Sequence, residues 1–424
     1  MPGIIAFPHI VQEAVRDFYS LFANDPQRRH FAEYLTGLFV ADHKTVLGIH
    51  DEFAQITDQS CLNRFLTEVD WDPLQLNTRR LELLQKDPAT RYANHGVIAI
   101  DNVLIDHDGK LIPDACYFWD HAEERYKIAQ DYLFANYVCP SGKHYPLDFR
   151  CFCSEKRCKE ERNLFLNHTC LCIELIDQVC AQNIPGDFTF DNYFTNAEIL
   201  NHIHSNTLQN GQPRAYVGDL KSNRKVIWKR RTLKANQIAA QVSPENRKPV
   251  QVGDRRQYYF TACLHIPNIN HKIRLVLLWK NRDDNEAVKM LITNRTTWEV
   301  SRILRVYRHR WTGTETFHRD GKQQLGMGDC QLRDPEGQTR HMYLVMLAYS
   351  LLMQQMQQSH PLEWAYQKLM TIGEACRAML RETLRTTLTW AIGQVTEKAW
   401  DVQHIVTYLN LGGVPCTLSP NLID

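Results

Sequence analysis

The sequence predicts an α/β chain in which helical ends enclose a core of strands, and that core is interrupted by a long β-rich stretch. Three observations carry this reading. Apolar residues recur at helical spacing through residues 1–90 and again from Thr297 to about Leu411. Between these regions lie β-branched and aromatic runs bounded by turn residues. The 424 residues leave room for about three domains, and 44% hydrophobic with 23% charged residues is a globular composition rather than a disordered or coiled-coil one.

Residues 1–90 are the helical start. Ile10, Ala14, Phe18 and Leu21 share a helical face, as do Phe31, Leu35 and Leu38, and then Leu62, Phe65 and Leu66. The segment 57–66 opens on cap residues and shows Gln59, Asn63 and Arg64 among its apolar positions. Such a helix suits a DNA major groove, or it is a solvated face. Arg79, Arg80, Asp87 and Pro88 read as a polar close to this region.

Residues 91–198 change texture. GVIAIDNVLI (96–105) is a strand ending towards Asp106 and the turn Asp108-Gly109. DYLFANYVC (131–139) and HYPLDFRCF (144–152) follow as a hairpin joined by Pro140-Ser141-Gly142-Lys143. A helical stretch from Arg162 to Gln182 leads to the strand DFTFD (187–191). Three antiparallel strands, a helix and a further strand make the opening of a ribonuclease-H-like core. Residues 199–295 read as a β-rich insertion, with strands at 215–220, 225–231, 257–266, 272–280 and 287–294. Residues 296–355 return to the core as its helical second part. Residues 356–424 form a helical C-terminal region with a loosely packed tail from Gly412.

Composition removes several function classes. The longest apolar run, Met342 to Met353, is too short to cross a bilayer, and no basic start precedes an apolar stretch, so neither a membrane span nor a signal peptide is expected. A cytoplasmic protein with reduced thiols is the expectation, and the 13 cysteines are then mostly buried. The cluster Cys139, His144, Cys151, Cys153 and Cys158 is the exception to test for zinc, although Cys151 and Cys153 are closer together than a usual knuckle. A net charge of +1 says nothing about a nucleic-acid partner, so that argument rests on local charge.

Local charge is informative. Asp101 lies inside an apolar strand, where an ionised carboxylate is costly unless a cation compensates it. Asp191 ends a second strand and is followed by Asn192, so it either binds a hard cation or caps a turn. Glu315 is the third acid, from the helix after the insertion. Thr312-Gly313-Thr314-Glu315 also matches a capping box at a helix start. Arg302, Arg305, Arg308, Arg310, Arg319 and Lys322 surround Glu315 with basic charge, which suits phosphates. A second stripe, Lys221, Arg224, Lys225, Lys229, Arg230, Arg231 and Lys234, contains no acid and holds Trp228. Interleaved cations and an aromatic are typical of nucleic-acid grooves; the alternative is a solvated strand.

YRHRWTGTETFHRDGKQQLG (307–326) resembles the signature of DDE transposases from bacterial insertion sequences: Tyr-x2-Arg, then Glu-x6-Lys and Leu-Gly. With GVIAIDN around Asp101, FTFDNYF around Asp191 and the NRFL…W phrase from Asn63 to Trp71, the chain looks most like the insertion-sequence 701 family. The likeness covers roughly residues 90–355 and, with that phrase, nearly the whole chain.

The resemblance implies a ribonuclease-H-like core with a β-rich insertion between its second and third acids. Asp101, Asp191 and Glu315 would be the catalytic acids holding two Mg2+ ions, for which Mn2+ can substitute. Tyr307, Arg310 and Lys322 would contact phosphates beside the cleaved strand. It further implies double-stranded DNA partners, namely the element's terminal inverted repeats and target DNA, and a homodimer on DNA. Related enzymes hold a flipped base with an aromatic wedge, for which Trp298 and Trp279 are candidates. One departure stands out: four residues separate Arg310 from Glu315, where the related signature has three. The function expected is cut-and-paste transposition. A nuclease that cuts without joining and a catalytically inactive DNA-binding relic are the alternatives, and the extra residue is what favours the relic.

Overall fold

The computed structural model describes residues 3–54, 58–107, 109, 111–120, 123–356, 369–409 and 411. In chain order its elements begin with helices α1 (His9–Asp17), α2 (Asp25–Val40), α3 (Val46–His50), α4 (Gln59–Thr67) and α5 (Pro73–Lys86). Strands β1 (Val97–Asp106), β2 (Cys116–Asp120), β3 (Arg125–Val138) and β4 (His144–Cys151) follow. Then come α6 (Glu155–Glu161), α7 (His168–Ala181), β5 (Asp187–Phe190), α8 (Ala197–Ser205) and β6 (Tyr216–Asp219). The next stretch holds β7 (Lys225–Trp228), β8 (Arg231–Lys234), α9 (Ala235–Gln241), β9 (Lys248–Val252), β10 (Arg255–Leu264), β11 (Ile273–Trp279) and β12 (Lys289–Thr293). The chain closes with α10 (Val300–Arg310), α11 (Thr316–Gln324), α12 (Pro335–Gln355), α13 (Ile372–Lys398) and α14 (Val402–Tyr408). Asp108, Thr57 and residues 412–424, which bear on the turn, the segment start and the tail expected above, lie outside the described residues.

The chain divides into two compact units: Met1–Arg80 with Asp320–Asp424, and Leu81–Arg319. The unit built from the two ends is helical. Phe22 packs on Phe31 with centroids 4.8 Å apart, and Phe65 stacks on Trp71 at 5.4 Å. Asn24, Thr45 and Asp58 cap α2, α3 and α4 through their side chains. The polar close expected near residue 80 is instead helix α5. Arg80 is only 1% exposed, and its guanidinium donates to Asn77 and to the Ser350 hydroxyl at 2.7 Å. It is an internal tie between helices.

The other unit is a mixed sheet flanked by helices. Within it the order β4-β3-β1-β5-β6 places three antiparallel strands beside two that run parallel to β1. This is the ribonuclease-H-like arrangement. Parallel pairing needs crossovers: α7 supplies the one into β5 and α8 the one into β6. Strand β6, expected to belong to the insertion, is therefore part of the core. Strands β12, β11, β10 and β9 then add antiparallel onto β6, so the stretch continues the same sheet and is not a compact body of its own. The edge that β6 would otherwise expose is covered by pairing.

Alternation along β1 sets the two faces. Ile98 and Ile100 enter the cluster that contains Leu175 and Ile176 of α7. Val97, on the other face, packs with Val217, Val276, Leu291, Ile303 and Val306, so α10 covers that side. Two local expectations change. The single strand expected at 225–231 is the hairpin β7–β8, turned by Lys229 and Arg230 at φ +48° and +62°. Both residues take the left-handed region that a two-residue type I′ turn needs. The cysteine cluster is also spread out. Cys139 lies by the β3–β4 turn, while Cys151 pairs with Tyr132 at the far end of the ladder, roughly 20 Å away. Those residues do not form one ligand set.

Candidate active site

The register of three neighbouring strands builds the site. Strands β1 and β5 pair Val97 with Asp187, Ile98 with Phe188 and Ala99 with Thr189. Continued by two rungs, this sets Asp101 beside Asp191. Strands β5 and β6 pair Phe190 with Gly218, and the next rung sets Asp191 beside Asp219. Residues on one rung point to one face, so three aspartates form a row on the face covered by α10. Asp191 also caps the turn after β5: its Oδ1 accepts from the backbone N–H of Tyr193 at 2.8 Å and of Phe194 at 3.3 Å. Both roles expected of Asp191 are thus compatible.

Glu315 comes from above this row. Helix α10 does not stop at Arg310; it passes through a π-helical turn, Trp311–Glu315, directly into α11. Glu315 is therefore inside a continuous helix, and the capping-box reading is corrected. The turn also explains the extra residue after Arg310. In an α-helix, residues five apart are roughly 140° apart around the axis. A π turn closes on the fifth residue and brings them over one another. Arg310 Nη1 accordingly lies 3.8 Å from Glu315 Oε1 and donates to Asp101 Oδ2 at 2.7 Å. The Thr314 hydroxyl, fully buried, donates to the Arg310 carbonyl at 2.8 Å and lies 3.4 Å from Asp101 Oδ2.

Gly313 lets the helix come this close to the sheet. A Cβ there would stand 2.8 Å from Val138 Cγ2 and 3.0 Å from Ala99 Cβ, closer than van der Waals contact.

Charge balance follows from this packing. Burial, reinforced by the charge of Asp191, pushes the Asp101 carboxyl up to about 7; Arg310 opposes the shift and Glu315 adds to it. Burial also raises Asp219, with Lys289 opposing at 3.0 Å. Four carboxylates thus face two cations, Arg310 and Lys289, in a half-buried pocket of hard oxygen donors. That donor set fits a divalent metal ion. Among the described residues no three such side chains close on a common ligating point; the guanidinium of Arg310 lies between two of them.

The other expected residues fall in several places. Tyr307, half-buried on α10, stands beside Asp219 and Lys289, with the Lys289 ammonium 5.5 Å from its ring. Arg319 and Lys322 are exposed on α11, and Lys322 lies past the boundary of this unit. Lys225, Lys229, Arg230 and Arg231 are exposed on the β7–β8 hairpin, with half-buried Arg224 just before it and the Lys229 ammonium 4.4 Å over the Trp228 ring. Arg64 is exposed on α4 in the helical unit, near the Cys61 sulfur. Trp298 precedes α10, at the helix end opposite Glu315 and roughly 20 Å along it. It is stacked under Arg302 at 3.8 Å, so the fold does not bring it to the acids. Trp279 is fully buried beneath Arg247 and belongs to the core.

Two members of the site were not expected, Asp219 and Lys289. The signal for Asp219 was an acid at the end of a short apolar strand, YVGD, which repeats the pattern of FTFD before it.

A partly buried row of aspartates, completed by a helical glutamate on a ribonuclease-H-like sheet, is a donor set suited to metal-assisted chemistry on nucleic-acid phosphates. The chain matches the DDE superfamily endonuclease family over residues 17–237, more than half its length, and the transposase DDE domain over residues 174–351. It belongs to the DDE superfamily. No curated protein matches it. No helix among the described residues is long and apolar enough to cross a membrane.

Proposed function

We propose that this chain is a DNA transposase of a bacterial insertion sequence, of the insertion-sequence 701 family, working by cut and paste in the cytoplasm. One observation carries the reading: Asp101 and Asp191 share a rung of the sheet, and a π-helical turn delivers Glu315 to them. These three would hold the metal, two Mg2+ or Mn2+ ions, which supply water activation and charge stabilisation for in-line phosphoryl transfer. The first transfer frees a 3′-hydroxyl at the element's end, and the second uses that hydroxyl on target DNA. No covalent protein–DNA intermediate is required.

The remaining residues hold DNA. Tyr307, with Lys289 and Asp219 beside it, is positioned by the helix that carries Glu315. Arg310, Arg319 and Lys322 meet phosphates near the cleaved strand. The β7–β8 hairpin, with Arg224, Lys225, Trp228, Lys229, Arg230 and Arg231, grips backbone through charge and an aromatic face. Helix α4, carrying Arg64, reads the terminal inverted repeats. Two ends require a homodimer on DNA whose two-fold axis matches the repeats.

The π turn accommodates the extra residue before Glu315 while keeping Glu315 beside Arg310, which supports the active reading over an inactive relic. The test uses DNA from the flanks of the gene, with Mg2+ or with chelator. Wild-type protein is expected to produce new 3′ ends and joined products only with metal, and Asp191→Asn protein to produce neither. Metal-dependent cutting without joined products would move the assignment to a nuclease. Tight end binding with no cleavage under any metal would overturn the enzyme reading.

A further inference from the structure

Arg310 stands where a cation is needed. Its Nη1 donates to Asp101 Oδ2 at 2.7 Å and lies 3.8 Å from Glu315 Oε1, so one guanidinium spans two of the three acids. The π turn makes this span possible, since it places residues five apart on one side of the helix. The arginine side chain is mostly buried, 16% exposed, and Asp101 is 12% exposed. A divalent ion entering between these carboxylates must displace the guanidinium, both by volume and by charge. Arginine also forms bidentate pairs with phosphate, so a DNA phosphate at the rim offers it a second partner.

We propose that Arg310 couples metal loading to DNA binding: it fills the cation position in DNA-free protein and leaves it for a DNA phosphate, opening the acids to metal. The proposal rests on the active-site reading above. Coupling is reciprocal, so metal tightens DNA binding by the same factor as DNA tightens metal binding. Its consequence is an enzyme that stays unloaded, and so does not cut, until DNA is seated.

The test is titration of Mn2+ into metal-free protein, followed by the electron paramagnetic resonance signal of the free ion. Arg310→Gln is expected to bind Mn2+ about tenfold tighter or more than wild type without DNA. Arg310→Lys, which keeps the charge and guards against a folding defect, is expected to bind as weakly as wild type. A short DNA duplex at low salt is expected to tighten Mn2+ binding by wild type and to leave Arg310→Gln unchanged. Asp191→Asn protein under the same conditions gives the background from DNA-bound Mn2+. Equal or weaker binding by Arg310→Gln, or tight binding by Arg310→Lys, overturns the coupling. If wild type and Arg310→Gln bind alike at a site lost in Asp191→Asn, the coupling fails and the metal site stands. If no protein binds Mn2+ with or without DNA, both readings fall.

Discussion

Strand β5 begins with one aspartate and is followed directly by another, in opposite surroundings. Asp187 at its start is outnumbered by cations: Arg302 pairs with it at 3.2 Å, and Arg214 and Arg295 line the same polar cavity of about 680 Å³. Asp191 at its end joins Asp101, Asp219 and Glu315 around Arg310 and Lys289. Both ends hold half-buried or buried acids, and burial raises Asp187 as it does Asp101. What separates them is the local sum of charge. An acid with surplus cations has its counter-charge within the protein. An acid within surplus carboxylates is left to be neutralised by something from outside.

The largest expected effect follows from that contrast. Asp191→Asn is expected to lower metal-dependent cleavage by about a thousandfold or more, because it would remove one of the oxygen donors proposed for the metal. Asp187→Asn is expected to leave cleavage within a few-fold of wild type and not to lower stability at neutral pH, because burial raises its carboxyl as it does that of Asp101 and the partly exposed Arg302 keeps solvent and its stacking on Trp298. Cleavage assays and denaturant unfolding on both variants check this. Equal loss of cleavage in the two would break the comparison.

Both acids were visible in the sequence, for a reason that did not depend on tertiary structure. A charged residue closing or interrupting an apolar strand is costly wherever the strand goes, and Asp101 and Asp191 announce that cost locally. Asp219 makes the same local statement in YVGD, yet its role depends on pairing with β5, across the whole of helix α8, and non-local pairing leaves no periodicity to read. The π turn was hidden for the opposite reason. Thr312-Gly313-Thr314-Glu315 has a good local explanation as a helix start, and only the packing of Gly313 against Val138 and Ala99 decides otherwise. Lys229-Arg230 concealed a hairpin because neither residue is the Asn or Gly that such turns favour. Helical ends, core strands and two of the clustered aspartates were therefore legible, while the rung alignment and the basic hairpin were not.

The next effect is on stability as a function of pH. The folded state holds the Asp101 proton up to about pH 7, whereas the unfolded chain releases it at about 4. Between those values the folded state binds more protons, so stability falls as pH rises, and it is flat above the folded value. Metal-free protein is expected to lose on the order of a few kcal/mol between about pH 4 and 7 from this group. Asp101→Asn is expected to flatten that part of the profile and to be more stable than wild type at about pH 7.5 without metal. Thermal unfolding across pH in chelator measures it. A profile unchanged by Asp101→Asn would mean that the surplus of carboxylates is not felt in the folded state.

A smaller effect tests how the helix is seated. Gly313→Ala forces a Cβ to within 2.8 Å of Val138 Cγ2, and overpacking of this kind costs about 1–3 kcal/mol. Since Thr314 and Glu315 follow directly, the displaced helix also moves them from Asp101. The loss is expected to be partly restored by Val138→Ala, which removes the nearest obstructing methyl group. Denaturant midpoints for the two single variants and the double variant measure the coupling. Additive losses would place the strain elsewhere.

The smallest effect is expected where intuition suggests the largest, in deleting a residue from the helix that carries Glu315. A π turn is one extra residue held inside an α-helix, so removing Thr312 lets residues 310–315 close as ordinary helix without shifting the flanking segments. Arg310 and the glutamate become residues four apart, which in an α-helix also share a face. The guanidinium then still spans Asp101 and the glutamate, and the three-residue spacing of the related signature is restored. Stability is expected to stay within about 1 kcal/mol of wild type, and cleavage within about tenfold, because neither the cation nor the acids are lost. The contrast is a deletion in the regular helix α10, which rotates the rest of that helix, Arg310 included, by roughly 100°. Deleting the exposed Arg305 from that stretch is expected to destabilise the protein clearly, and denaturant unfolding with cleavage assays on both deletions makes the comparison. If removal of Thr312 is the more damaging of the two, the π turn is itself needed for the geometry of Glu315, and the extra residue is a requirement of the acid cluster and not a tolerated insertion.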